Sequence, residues 1–581
     1  MNKLVITTAV CLFANHLLSA QNKVGIGTNT PAAKLHVQSA ADETELTVES
    51  THSQQSYSKP LINLRRNGKD VVWLNADTLK NLFIGRESGT LTNAAFAAHN
   101  TMIGHDAGIA LTNGSQNTAI GSLALSANQT NSNNTALGFG SLSNNTASDN
   151  TALGSFTMFD NTTGKSNTAI GTAALSSNST GNNNVAIGDY SMQSGNRGDN
   201  NVAIGYQSLL QNTNGSQMVA IGALALRSNT SGVANTAVGY RSLLSTTTGG
   251  NNTALGYLSA NNNLNGAFNT SIGSEAMRDN VSGIVNVAIG YRALARSANT
   301  DYNTAVGTSS LANLTGGGNN TAFGYAALAT ASTSSANTGL GFQALNTLTT
   351  GSYNVAVGYS ALLSTTTAQY NTALGYQAGA SRNNGFNNVF VGANTDVNAA
   401  NMYNVIALGQ GTTVTANSTA RFGNSATTSY GGWAGWTTIS DARFKTDVQQ
   451  NVPGLDFISK LKPVTYHLQA AKVDAFLKQG ITPDKRAEAN QWEQIAMKEK
   501  EAILYTGFLA QDVEAAAKAS GFDFSGVDKP KNNNDTYGLR YAEFVVPLVK
   551  AVQEQQEMIQ TLQQQVKDLK ALVEKLVAEK N

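Results

Sequence analysis

Charge is scarce where this chain is longest. Between Asn93 and Ser429 only 18 residues are Asp, Glu, Lys or Arg, and they are scattered. A glycosidase needs two carboxylates held a few ångströms apart on one cleft. The nearest acidic pair here, Glu275 and Asp279, has no counterpart in neighbouring stretches. The single cysteine is Cys11, so beyond it neither disulfides nor thiol chemistry is expected. After the N-terminal residues no stretch holds the about 18 continuous apolar residues of a membrane-spanning helix. The net charge is +1, which gives no reason to expect nucleic acid or an anionic membrane as partner. No spacing of His, Cys, Asp or Glu suggests a metal site, and nothing suggests a cofactor.

What is present begins with MNKLVITTAVCLFANHLLSAQ: a lysine, an apolar run from Leu4 to Leu18, then Ser19-Ala20. It reads as a secretory signal over 1–20 cut before Gln21, giving a secreted or cell-surface protein. Residues 21–80 follow as a β-region, in which VGIGTNTPAAKLHV and PLINLRRNGKDVVWLNA alternate apolar and polar residues between turns. VGIGTNTPAAKLHV resembles a short element common near the start of bacterial and phage fibre-like proteins.

The stretch 81–430 is an array. The pattern N-[TV]-A-[ILV]-G recurs from Asn100 to Asn388 in steps of seventeen, with one step of sixteen between Asn134 and Asn150. Asn81–Gly85 and Asn404–Gly409 read as imperfect flanking units. A full unit, NTAVGYRSLLSTTTGGN (235–251), has two short apolar pieces and a polar turn. Pieces that short cannot be useful helices, so two short strands per unit are expected. A lone unit cannot bury its Val and Leu side chains, whereas stacked units share a continuous core. Ala237 and Gly239, flanking Val238, would let successive coils approach closely. The repeated asparagines read as ladders between coils, with surface carbohydrate or a host-cell receptor as the alternative partner. These units resemble the head repeats of trimeric bacterial adhesins, in which three chains wind β-coils side by side.

From Val545 the apolar residues fall into heptads over 545–581. Val545, Val552, Ile559, Val566 and Val573 take one seam position and Leu548, Gln555, Leu562, Leu569 and Leu576 the other. This predicts a coiled coil, with Gln555 as a polar layer able to fix register or oligomer state. Pro547 falls near the start of the helix, where its missing N–H does least harm.

Between array and coiled coil lies 431–544, opened by SDARFKTDV (440–448). Taken alone, Ser or Asp before a charged run suggests a helix cap. A spacing of five would set Ser440 and Lys445 apart on a strand or a helix, so only a bend can join them. Then come LKPVTYHL (461–468), TGFLAQDVE (506–514) and YAEFVVPLVKAVQEQ leading into the coiled coil. This order resembles the intramolecular chaperone domain of phage endosialidase tailspikes, the peptidase S74 family. The resemblance implies a homotrimer whose chaperone aligns the fibre chains and then cuts itself free. Carried onto this chain it makes Ser440 the nucleophile, Lys445 its base and Ile439–Ser440 the scissile bond, with Arg443 and Gln511 in support. A serine hydroxyl needs a base beside it, and lysine serves when burial lowers its pKa. His467, the domain's one histidine, reads as structural. The expected architecture is mainly β, a long solenoid followed by an α+β chaperone domain and a coiled coil. An uncut surface adhesin and a carbohydrate-active fibre are the rival readings.

Overall fold

The computed structural model describes residues 24–26, 35–37, 62–66, 69–76, 79–89, 97–381, 384–479 and 491–580. The expected signal at 1–20 lies outside the described residues. The chain divides into two units, Met1–Tyr206 and Gln207–Asn581, and is mainly β, with about twenty solenoid coils distributed over both.

In the first unit, Ile62–Arg66 and Lys69–Ala76 form an antiparallel hairpin. Its second strand pairs antiparallel with Leu82–Ile84, which pairs parallel with Thr101–Ile103. The hairpin therefore occupies the edge of the first coil, which would otherwise expose unpaired N–H and C=O groups. Parallel rungs continue to Val202–Ile204, each strand beside its counterpart one repeat later. The sixteen-residue step pairs Thr135 with Thr151 and leaves the ladder unbroken.

The second unit carries the same ladder from Val219–Ile221 to Ala420–Phe422. Most units contain one strand of three residues, not two; a second short strand occurs in the last coils, where Asp396–Val397 pairs with Thr413–Val414. In the unit beginning at Asn235 the strand is Thr236–Val238, and the SLL piece is a turn because Arg241 and Leu243 have φ of +57° and +49°. A strand needs negative φ. The turn still bonds between coils, Arg241 N–H to Ala223 O at 3.1 Å and Leu243 N–H to Ser259 O at 3.0 Å. A left-handed leucine costs about 1–2 kcal/mol, offset here by complete burial of Leu243.

The core also differs from expectation. Strand side chains alternate, and the inward one is Ala237, fully buried, while Val238 is half-buried. In most coils the mid-strand residue is alanine and the flanking Val, Ile or Leu is only partly buried, while Phe83, Met102 and Phe390 take the same inward position in coils near the two ends. Gly239, at φ +132°, is needed for the close approach: a Cβ there would sit 2.4 Å from Gly256 O. Between rungs the buried asparagines form a ladder. Asn252 N–H and Nδ2 donate to Asn235 Oδ1 at 3.0 and 3.1 Å, and Nδ2 also donates to Gly266 O at 2.8 Å.

The α+β region follows. Helices α1 (Leu455–Ile458), α2 (Ala470–Leu477), α3 (Gln491–Glu501), α4 (Ala510–Ala519) and α5 (Val545–Lys580) accompany two small antiparallel pairs, Val464–Tyr466 with Tyr505–Gly507 and Val527–Asp528 with Gly538–Leu539. Phe457, Val513, Ala516, Ala517, Phe524, Val527 and Phe544 form its core. Glu554 of α5 accepts from Leu455 N–H at 2.7 Å, tying α1 to the long helix. At 36 residues, α5 is about 54 Å long.

Candidate active site

After the last rung the chain runs exposed from Ser429 to Ser440. Trp433, Trp436 and Ile439 stand almost wholly in solvent. Asp441 then caps a single turn of 3₁₀ helix, Ala442–Phe444, its carboxylate accepting from Arg443 N–H at 2.9 Å. The Arg443 guanidinium closes on the same carboxylate, Nη2 to Oδ2 at 2.6 Å. That hydrogen bonding holds the Asp441 carboxyl below the usual carboxylate range, favouring the charged form that caps the turn. The turn reverses the chain, with Lys445 N–H donating to Ala442 O at 3.2 Å.

The reversal brings together two side chains five positions apart. Lys445 Nζ lies 2.7 Å from Ser440 Oγ and donates to it. With the amine neutral, the same contact lets it accept the hydroxyl proton, as a general base requires. The arrangement thus joins a capped turn with a serine–lysine pair in one six-residue stretch.

The other sequence candidates lie elsewhere. Ile439 precedes Ser440 with its side chain in solvent. Arg443 lies on Asp441 and over the Phe444 ring, 5.6 Å from its centre. Gln511, in the first turn of α4, lines a cavity of about 730 Å³ with Tyr466, Phe508 and Tyr541; neither Ser440 nor Lys445 is among its walls. His467 Nδ1 lies 3.1 Å from Glu501 O. Glu275 and Asp279 are both paired to Arg278, at 2.8 Å each. That hydrogen bond keeps the Asp279 carboxyl lowered, the opposite of a glycosidase general acid.

Sequence reasoning missed the contacts between the C-terminal region and the final coils. Asp474 of α2 accepts from Ser425 Oγ at 3.1 Å, Lys500 of α3 donates to Thr427 O at 2.7 Å, and Glu493 accepts from Gln410. Both helices of the charged segment 469–503 contact the final coils through these bonds. Among the described residues no helix is long and apolar enough to cross a membrane, and no group of three or more His, Cys, Asp or Glu could hold a metal.

Residues 440–522 match the family model for the chaperone of endosialidase, peptidase S74. A comparison with curated proteins returned no match. A chaperone-of-endosialidase region behind a repetitive β-solenoid fits a tail-fibre-like protein.

Proposed function

We propose that the protein is an exported, trimeric fibre or adhesin-like protein whose C-terminal region, 431–544 with the coiled coil 545–581, directs assembly and then cuts the bond before Ser440. The observation that carries this reading is the 2.7 Å approach of Lys445 Nζ to Ser440 Oγ, at the residue where the family match begins. Ser440 Oγ attacks the Ile439 carbonyl while Lys445 takes its proton. The proton passes to the Ser440 nitrogen as the peptide bond breaks, leaving an ester between Ile439 and Oγ. Water then hydrolyses the ester, giving an Ile439 carboxylate and a free Ser440 amine.

A lysine base works when desolvated, and both partners are exposed in the single chain. Surface for covering copies is at hand. Nine apolar seam residues of α5, from Val545 to Leu576, are 42–61% exposed. Near the pair in sequence, Trp433, Trp436, Ile439 and Phe444 are exposed apolar side chains. Both support assembly first and scission second.

The carbohydrate reading is weaker. The asparagine ladder is spent between coils, and the aromatic ladder Tyr325–Phe342–Tyr359–Tyr376 stacks ring on ring, with centroids 5.1, 4.9 and 5.4 Å apart. Rings covered by one another offer edges, not the free faces on which a sugar would stack. The reading is tested by the mass of purified protein, unaltered and Ser440→Ala. Two pieces divided before Ser440 in the first and a whole chain in the second are expected. Whole chains in both, forming trimers, would make this an uncut adhesin.

A further inference from the structure

The last coil carries a charge where the earlier coils carry an uncharged residue. At mid-strand, where Ala407 and its predecessors face the core, Ala420–Phe422 places Arg421. Its guanidinium donates from Nη1 to Thr413 O at 2.8 Å and from Nη2 to Thr415 Oγ1 at 3.2 Å. Thr415 Oγ1 in turn donates to Asp535 Oδ1 at 2.5 Å. The result is a relay from cation through hydroxyl to carboxylate, whose two ends lie on opposite sides of Ile439–Ser440 in sequence.

Asp535 belongs to a hairpin loop between Val527–Asp528 and Gly538–Leu539. The same loop touches two successive rungs. Asn398 Nδ2 donates to Asn534 O at 3.0 Å, and Asn532 Nδ2 donates to Thr415 O at 2.7 Å. Asn398 and Thr415 are one repeat apart and follow Asp396–Val397 and Thr413–Val414, a second pair of parallel strands in these coils. The final coils are built to be gripped.

We propose that loop 532–535 is an end cap that keeps the C-terminal piece non-covalently docked on the solenoid after scission, with Asp535 supplying the counter-charge for Arg421. Unpaired, Arg421 would leave a cation over the open end of an apolar core, and removing one partner of a desolvated charge pair is costly. The inference rests on the scission above only for the timing of the cut, so its test supplies another cut. A recognition sequence for a site-specific protease, inserted between the exposed Gly431 and Gly432 of the full-length Ser440→Ala chain, lets the linker be cut at will. Size-exclusion chromatography under native conditions then follows the two pieces. Co-elution is expected, with Asp535→Asn and Asn532→Ala each separating at least about tenfold faster, although the uncut variants melt with the unaltered chain. Immediate separation of the unaltered pieces, or equal retention in both variants, would overturn the proposal.

Discussion

At the scale of single residues, most of the chain is governed by what fits between coils a few ångströms apart. The buried asparagine is legible from recurrence alone, because only a side chain that both donates and accepts can repeat on itself without a mismatch. Which strand residue faces inward is less legible: TAV and VAI give no sign that alanine wins the core until the coil width is known. The turn at Ser440 shows the same split. The sequence offers a cap and a distant lysine as competing ideas, whereas Asp441 makes them one, since its cap turns the chain so that Lys445 returns to Ser440. Asp441→Ala removes a cap worth about 0.5–2 kcal/mol and should slow appearance of the 440–581 fragment by about tenfold, read by gel densitometry. Asp441→Asn keeps an acceptor for the Arg443 amide and should retain most of the rate. Equal loss in both would assign Asp441 a charge effect instead.

At the scale of elements, periodicity is what the sequence displays best. The seventeen-residue step and the heptads of α5 both stand out, because each element repeats one contact many times. The second strand expected in each unit failed for a local reason: alternating left-handed residues are invisible in composition, since leucine, arginine and serine all occupy them. Arg421 was within reach of sequence reasoning, had the final imperfect unit been aligned strand to strand. The seam of α5 makes a sharp expectation. Leu562→Asp and Leu569→Asp place charge on residues 58% and 61% exposed in the single chain, so the isolated fold should tolerate them. Sedimentation should nevertheless show loss of the oligomer, and with it loss of the cut. Oligomers that survive both substitutions would move the assembly surface away from this helix.

At the scale of the whole molecule, acid tests how the C-terminal region holds its gripping loop. Glu514 of α4 bonds Lys518 at 3.0 Å, Tyr537 Oη at 2.9 Å and Lys529 at 3.2 Å, so it anchors both sides of the hairpin loop. Lys518, then Tyr537 and Lys529, hold its carboxyl down to about 2 from an ordinary 4.5. A lowered carboxyl pKa stabilises the fold above the ordinary value and ceases to do so as pH falls through the lowered one. Thermal melts of the unaltered chain should therefore fall between pH 4.5 and pH 2, and Glu514→Gln should flatten that slope while melting earlier at neutral pH. A slope unchanged by the substitution would place the acid response elsewhere.

The ladder has one more consequence, for how such chains change over generations. A coil bonds only to the coil before and the coil after it, so whole units can be gained or lost by unequal recombination between near-identical coding repeats without disturbing either end. Each event would alter reach by one increment of about 4.8 Å. The unbroken pairing across the sixteen-residue step shows that a unit one residue shorter is accommodated without loss of register. Reach can then drift freely while the specialised final coils, and whatever reads them, stay fixed.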